Sequence, residues 1–127
     1  MFLPIIPDGA SKPIAPYVHG AKTGDTLYVS GTLPIDAYGN SLHGDDIEAQ
    51  TRHVIEQIIA VVEAAGGTRA DIAYNMIFLK NKADYAAFNA VYSEFFGDNP
   101  PARYCIIADL VRDEFLVEVA SVAYLGP

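Results

Sequence analysis

The 127-residue sequence has a single cysteine, no tryptophan, and only eight lysines and arginines. One cysteine, Cys105, permits no internal disulfide and no cysteine-rich zinc site. Sixteen acidic residues outweigh the eight cations and leave a formal net charge of −8. The cations are scattered, so a phosphate backbone would be repelled, and no nucleic-acid partner is expected. No apolar run approaches the roughly 18 residues of a membrane span. The start, Met1-Phe2-Leu3-Pro4, lacks the charged opening of a signal peptide, which points to a cytoplasmic protein with no membrane partner. His19, His43 and His53 show no metal-ligand spacing, so no metal is expected. Gly66-Gly67 closes a helix, whereas a phosphate cradle would open one. Internal repeats, low-complexity tracts and linkers are also missing, and residues 1–127 read as one domain.

What is present is an ordinary folded composition, 51% apolar and 19% charged. The first forty residues are rich in turn formers. Runs at 17–21 and 26–31, bridged by Lys22-Thr23-Gly24-Asp25, read as a hairpin. Residues 46–65 carry a helical pattern, with Ile47, Val54, Ile58, Val61, Val62 and Ala65 on one arc and Arg52, Glu56 and Glu63 opposite. Residues 72–80 are apolar on both alternating faces, as in a strand covered on both sides. A second helix is expected over about 82–96, capped by Asn81, with Tyr85, Phe88, Val91, Tyr92, Phe95 and Phe96 on its apolar arc. Runs at 102–110 and 115–124 suggest a terminal hairpin. The order β-β-(β)-α-β-α-β-β predicts an α/β (α+β) fold in which two helices pack on one face of a mixed sheet. Two helices cannot cover both faces, so the apolar open face predicts an oligomer.

Arg103 and Glu118 are charges placed where strands should be apolar. A hairpin turning near Val111 and Arg112 would put Arg103 opposite residues 118–121 and make the two charges near neighbours. Either a structural ion pair at a subunit interface or a substrate pocket would account for them. In a pocket, the planar fork of arginine suits a carboxylate. Cys105 shares the Arg103 face, where burial without reactivity is the simpler role for its thiol. Asn89 lies at the edge of the second helix's apolar arc. Ser30-Gly31 ends a strand in a turn, and glycine there would also let a ligand approach the main chain.

The segments Ala15-Pro16-Tyr17-Val18-His19-Gly20, Val29-Ser30-Gly31-Thr32-Leu33-Pro34, Glu63-Ala64-Ala65-Gly66-Gly67, Asn89-Ala90-Val91-Tyr92 and Pro101-Ala102-Arg103-Tyr104-Cys105, with Val117-Glu118-Val119, resemble the RidA/YjgF family of enamine/imine deaminases. Some members of that family carry the older name endoribonuclease L-PSP. The resemblance runs from about residue 13 to 125 and is strongest toward the pyrimidine-utilisation (RutC) branch. It implies a chorismate-mutase-like fold, a homotrimer with active sites between subunits, and no cofactor. It further implies that Arg103 holds the substrate carboxylate and Glu118 positions or activates water. Tyr17, from the neighbouring subunit, would line the cleft mouth, and Ser30 and Gly31 would form its wall. Asn89 would help shape the pocket, and Cys105 would contribute mainly backbone groups. The implied reaction is hydrolysis of an enamine or imine acid, 3-aminoacrylate first and 2-aminoacrylate as the alternative, with non-catalytic ligand binding as a third. Burial would raise the pKa of Glu118 and a nearby Arg103 would lower it, which leaves the direction open.

Overall fold

The carboxylate of Asp46 accepts the Ala49 N–H at 3.0 Å and caps helix α1 (Ile47–Ala64). Gly66, at φ 94°, turns the chain out of that helix in the left-handed region that glycine tolerates. The computed structural model describes all 127 residues. Strands β1 (Leu3–Ile5), β2 (Gly20–Thr23), β3 (Thr26–Thr32), β4 (Ile72–Leu79), β5 (Ala102–Ile107) and β6 (Val117–Tyr124) form one sheet in the order β1-β2-β3-β6-β4-β5. Only β4 and β5 run parallel. The second helix, α2 (Tyr85–Phe96), lies between them in sequence.

Both helices cover the same face. Val54, Ile55, Ile58, Val61 and Val62 of α1 and Phe88, Tyr92 and Phe96 of α2 share one core with Leu27, Val29, Ile77, Leu79, Val117 and Val119 of the strands. The opposite face carries Tyr28, Tyr74, Phe78, Tyr104, Ile106 and Tyr124, and there Tyr104 meets Tyr74 and Phe78 edge-on, each at 6.0 Å. Tyr28, Ile106 and Tyr124 are about half exposed on it. The mixed α+β sheet with two helices on one side, as the sequence predicts, is the chorismate-mutase-like fold.

Three expectations need correction. The terminal hairpin does not form: β6 inserts between β3 and β4, and β5 sits on the outer edge, parallel to β4. The inward residues of β6, Val117, Val119, Ser121 and Ala123, are all buried, as a doubly paired central strand requires, whereas β5 buries none of its residues fully. The chain between them is too long for a tight turn and has its own anchors. Second, α2 starts later than expected. Residues Lys82–Asp84 form a single 3-10 turn, and Asn81 gives no side-chain cap to the backbone. Third, the opening hairpin is narrower, with Gly24 at φ 58° and Asp25 as its two-residue turn, and Leu3–Ile5 adds an edge strand.

The β5–β6 connection is held by Gln50, a fully buried polar residue on α1. Its amide Nε2 donates to the carbonyls of His43 (3.0 Å) and Glu114 (2.9 Å), and its Oε1 accepts Leu116 N–H at 2.8 Å. Phe115 then enters a small separate core with Leu33 and Ile35.

Candidate functional site

The sequence-predicted residues gather in two clefts. The first, about 470 Å³, is lined by Tyr17, Ser30, Gly31, Leu33, Val111 and Glu118, together with Ile14 and Ala15. It exists because β3 slips register against β6 between Val29 and Thr32, which leaves Ser30 and Gly31 out of the ladder. Ser30 ties down the wall: its hydroxyl donates to Val18 O at 2.6 Å and its N–H to His19 O at 3.0 Å, while Thr32 Oγ1 donates to Ser30 O at 2.8 Å. These bonds fix the segment that carries Tyr17. Gly31 is required by close approach, because a Cβ there would collide with the Glu118 carboxylate. Glu118 is half-buried, and burial pushes its pKa above the ordinary carboxylate range with no compensating charge. Within one chain burial alone acts on it, because Arg103 lies at the other cleft.

The second cleft, about 500 Å³, is lined by Lys82, Tyr85, Arg103, Cys105 and Ile107. Arg103 Nη2 donates to Asn89 Oδ1 at 2.9 Å and to the Tyr85 hydroxyl at 3.1 Å. Its Cζ lies 4.7 Å from the Tyr92 ring centroid and 5.9 Å from those of Tyr85 and Phe88. Tyr92 is anchored in turn: Ser121 Oγ donates to Asn75 Oδ1 at 2.5 Å and Asn75 Nδ2 to Tyr92 OH at 3.0 Å. The chain's only ion pair is the exposed Arg52–Glu94 contact at 2.7 Å, so Arg103 has no acidic partner. Cys105 faces the same side and packs partly against the core, where burial pushes its thiol pKa up more than Arg103 lowers it.

Arg103 and Glu118 are therefore not neighbours within one chain. Arg103 pairs in register with Asn75 and faces the helices, whereas Glu118 pairs with Phe78 and faces the open side of the sheet. The expectation of adjacency fails with the hairpin that generated it. Tyr17, Ser30, Gly31 and Glu118 share one cleft, and Arg103, Asn89 and Cys105 cluster at the other. Each His ring nitrogen that bonds does so to main chain, His19 Nε2 to Ser11 O and His53 Nε2 to Ile35 O. Tyr85, Phe88 and Tyr92, which the sequence places on an apolar arc, also surround the Arg103 guanidinium. Their spacing of three and four residues, on the helix stripe that also carries Asn89, was the available signal once an arginine strand lay beside it.

The model of the family described as Endoribonuclease L-PSP matches residues 8–125. Among solved structures, the chain is similar to the YjgF gene product of E. coli, at 33% identity and a TM-score of 0.85, covering 96% of this chain and 98% of that one. It is similar to E. coli TdcF, solved with bound serine, at 30% identity and a TM-score of 0.88, covering 98% and 99%. Yersinia pestis YyfA, a protein of the conserved Rid family, has 31% identity and a TM-score of 0.88 over 98% and 99%.

Proposed function

The chain belongs to the Endoribonuclease L-PSP (RidA/YjgF) family, and from that premise we propose that it hydrolyses a small carboxylate-bearing enamine or imine acid, releasing ammonia. The observation that carries this reading is a guanidinium, Arg103, presented at a cleft by neutral groups and aromatic rings with no carboxylate of its own. The serine bound by TdcF is a ligand of matching type, small and carboxylate-bearing. Ribonuclease activity is disfavoured by the net charge of −8 and the scattered cations.

Each cleft holds half of the chemistry, and a homotrimer would join them. The Arg103 half of one subunit would meet the Glu118 and Tyr17 half of the next, with the apolar open sheet face buried between copies. The enamine tautomerises to an imine while Arg103 holds its carboxylate. Glu118 takes a proton from water, whose oxygen attacks the imine carbon. Glu118 returns that proton to the nitrogen to give the carbinolamine, then takes the hydroxyl proton as the carbonyl forms and passes it to the nitrogen, which leaves as ammonia. Burial makes Glu118 a stronger proton acceptor than an exposed carboxylate, and general acid–base help of this kind is worth on the order of 10² to 10⁴ in rate. No cofactor enters the scheme. The substrate proposed is 3-aminoacrylate, giving malonic semialdehyde, in a cytoplasmic pyrimidine-degrading context; 2-aminoacrylate is the alternative.

The test is ammonia release from enzymatically generated 3- and 2-aminoacrylate. Acceleration favouring the 3-isomer supports the assignment, preference for the 2-isomer moves it to the alternative, and no acceleration removes the enzyme and leaves a binding protein. Mixing Arg103→Ala and Glu118→Gln subunits tests the shared cleft. Random exchange should restore about a quarter of the clefts, and no restoration would place both groups in one subunit's site.

A further inference from the structure

A guanidinium offers a carboxylate two two-pronged edges, Nε with Nη2 and Nη1 with Nη2, and both need a hydrogen on Nη2. Here Nη2 already donates to Asn89 Oδ1 and to the Tyr85 hydroxyl. Neither two-pronged edge is open. The Tyr92 ring, 4.7 Å from Cζ, and the Asn75–Ser121 chain beneath it hold the group in this orientation. A carboxylate entering the cleft therefore reaches Arg103 through one nitrogen, Nε or Nη1, with one of its oxygens.

The second oxygen has a ready partner. The Tyr85 hydroxyl accepts from Arg103, so its own proton is uncommitted, and Tyr85 makes no other hydrogen bond. Its side chain is half exposed and lines the same cleft as Arg103. We propose that Tyr85 is a substrate-binding residue whose hydroxyl donates to the second carboxylate oxygen, so that Arg103 and Tyr85 grip the acid together. This rests on Arg103 being the carboxylate anchor. The grip is built from one charged and one neutral donor, and it puts a phenol on the cleft wall. Substrates whose carboxylate stands clear of bulky substituents are the ones it admits.

Tyr85→Phe keeps the ring beside Arg103 and removes only the hydroxyl. Propionate, an unreactive acid, is the probe, titrated by NMR against the wild-type oligomer and the variant. Propionate binding is expected to weaken roughly fivefold, binding of neutral propionamide to stay equal in the two proteins, and the loss in turnover to fall on KM rather than kcat. Equal melting temperature and mass of the two proteins exclude a folding defect, since the hydroxyl lies at the surface. If Tyr85 merely masks Arg103, the freed Nη2 hydrogen restores a two-pronged edge and propionate binds more tightly. Tighter or unchanged binding overturns the proposal. A wild type that binds propionate through Arg103 and Tyr85 but turns over no enamine acid removes the deaminase reading and leaves this one standing. Propionate binding indifferent to Arg103→Ala removes the anchor and this proposal with it.

Discussion

Gly31→Ala separates position from stability. An added Cβ would lie 3.2 Å from Glu118 Cδ and 3.6 Å from its Cγ, with the carboxylate oxygen Oε2 well inside contact distance. The carboxyl must then swing by on the order of 1 Å to recover normal packing. Nothing tethers it, and it borders an open cleft of about 470 Å³, so the fold absorbs the change at the low end of overpacking costs, about 1 kcal/mol. That corresponds to a fall in melting temperature of roughly 3–5 °C. Misplacing a reacting group by about 1 Å costs about 100-fold in rate, or about 2.7 kcal/mol of transition-state stabilisation. Steady-state ammonia release should therefore drop by two decades while thermal unfolding barely moves. Since the alanine acts through Glu118, the Gly31→Ala/Glu118→Gln double variant should be no slower than Glu118→Gln alone. Full activity in Gly31→Ala, or additive losses in the double variant, would refute a catalytic role for the carboxylate at this position.

Arg103→Ala should lose turnover yet keep the wild-type mass in light scattering and melt within a few degrees of wild type, because its partners Tyr85 and Asn89 are not deeply buried; loss of assembly would mark a structural arginine instead. Burial raises the Glu118 pKa, so the folded chain binds that proton more tightly than the unfolded chain does, and ionising it as pH rises through the folded pKa costs stability. Glu118→Gln should accordingly melt above wild type at about pH 8 and converge with it toward about pH 4, near the ordinary carboxylate range; a gap independent of pH would contradict this. Gln50→Leu strips partners from two carbonyls and one N–H in a buried setting and should cost roughly 3–6 kcal/mol in urea unfolding, whereas a loss under 1 kcal/mol would mean water replaces the amide.

Local signals carried much of the fold. The periodicity of α1 and its glycine exit hold, because each depends on residues within a few positions of one another, and Asp46, the first residue of the predicted run, is the residue that caps it. Pairing over a distance was less legible. Residues 102–107 and 117–124 look alike as apolar runs, and what assigns one to an edge and the other to the centre is contact with β3 and β4, which the runs themselves do not encode. The same limit shaped the site. Arg103 and Glu118 stand out as charges in strands, but their spatial relation hung on the pairing. Gln50 has no place in the apolar pattern of α1, and only the loop it stitches explains its burial.

The central place of β6 bears on how the chain comes to be folded at all. Strands β3 and β4 are made early in synthesis, yet they touch only through a strand built from residues 117–124. Until those residues leave the ribosome, each half keeps an unpaired, largely apolar edge facing the other. The sheet must close late and over long sequence separations, a pattern that slows folding and exposes sticky edges in the meantime. A chain cut short before β6 would be two β-edges in search of a partner, and aggregation would be its natural fate.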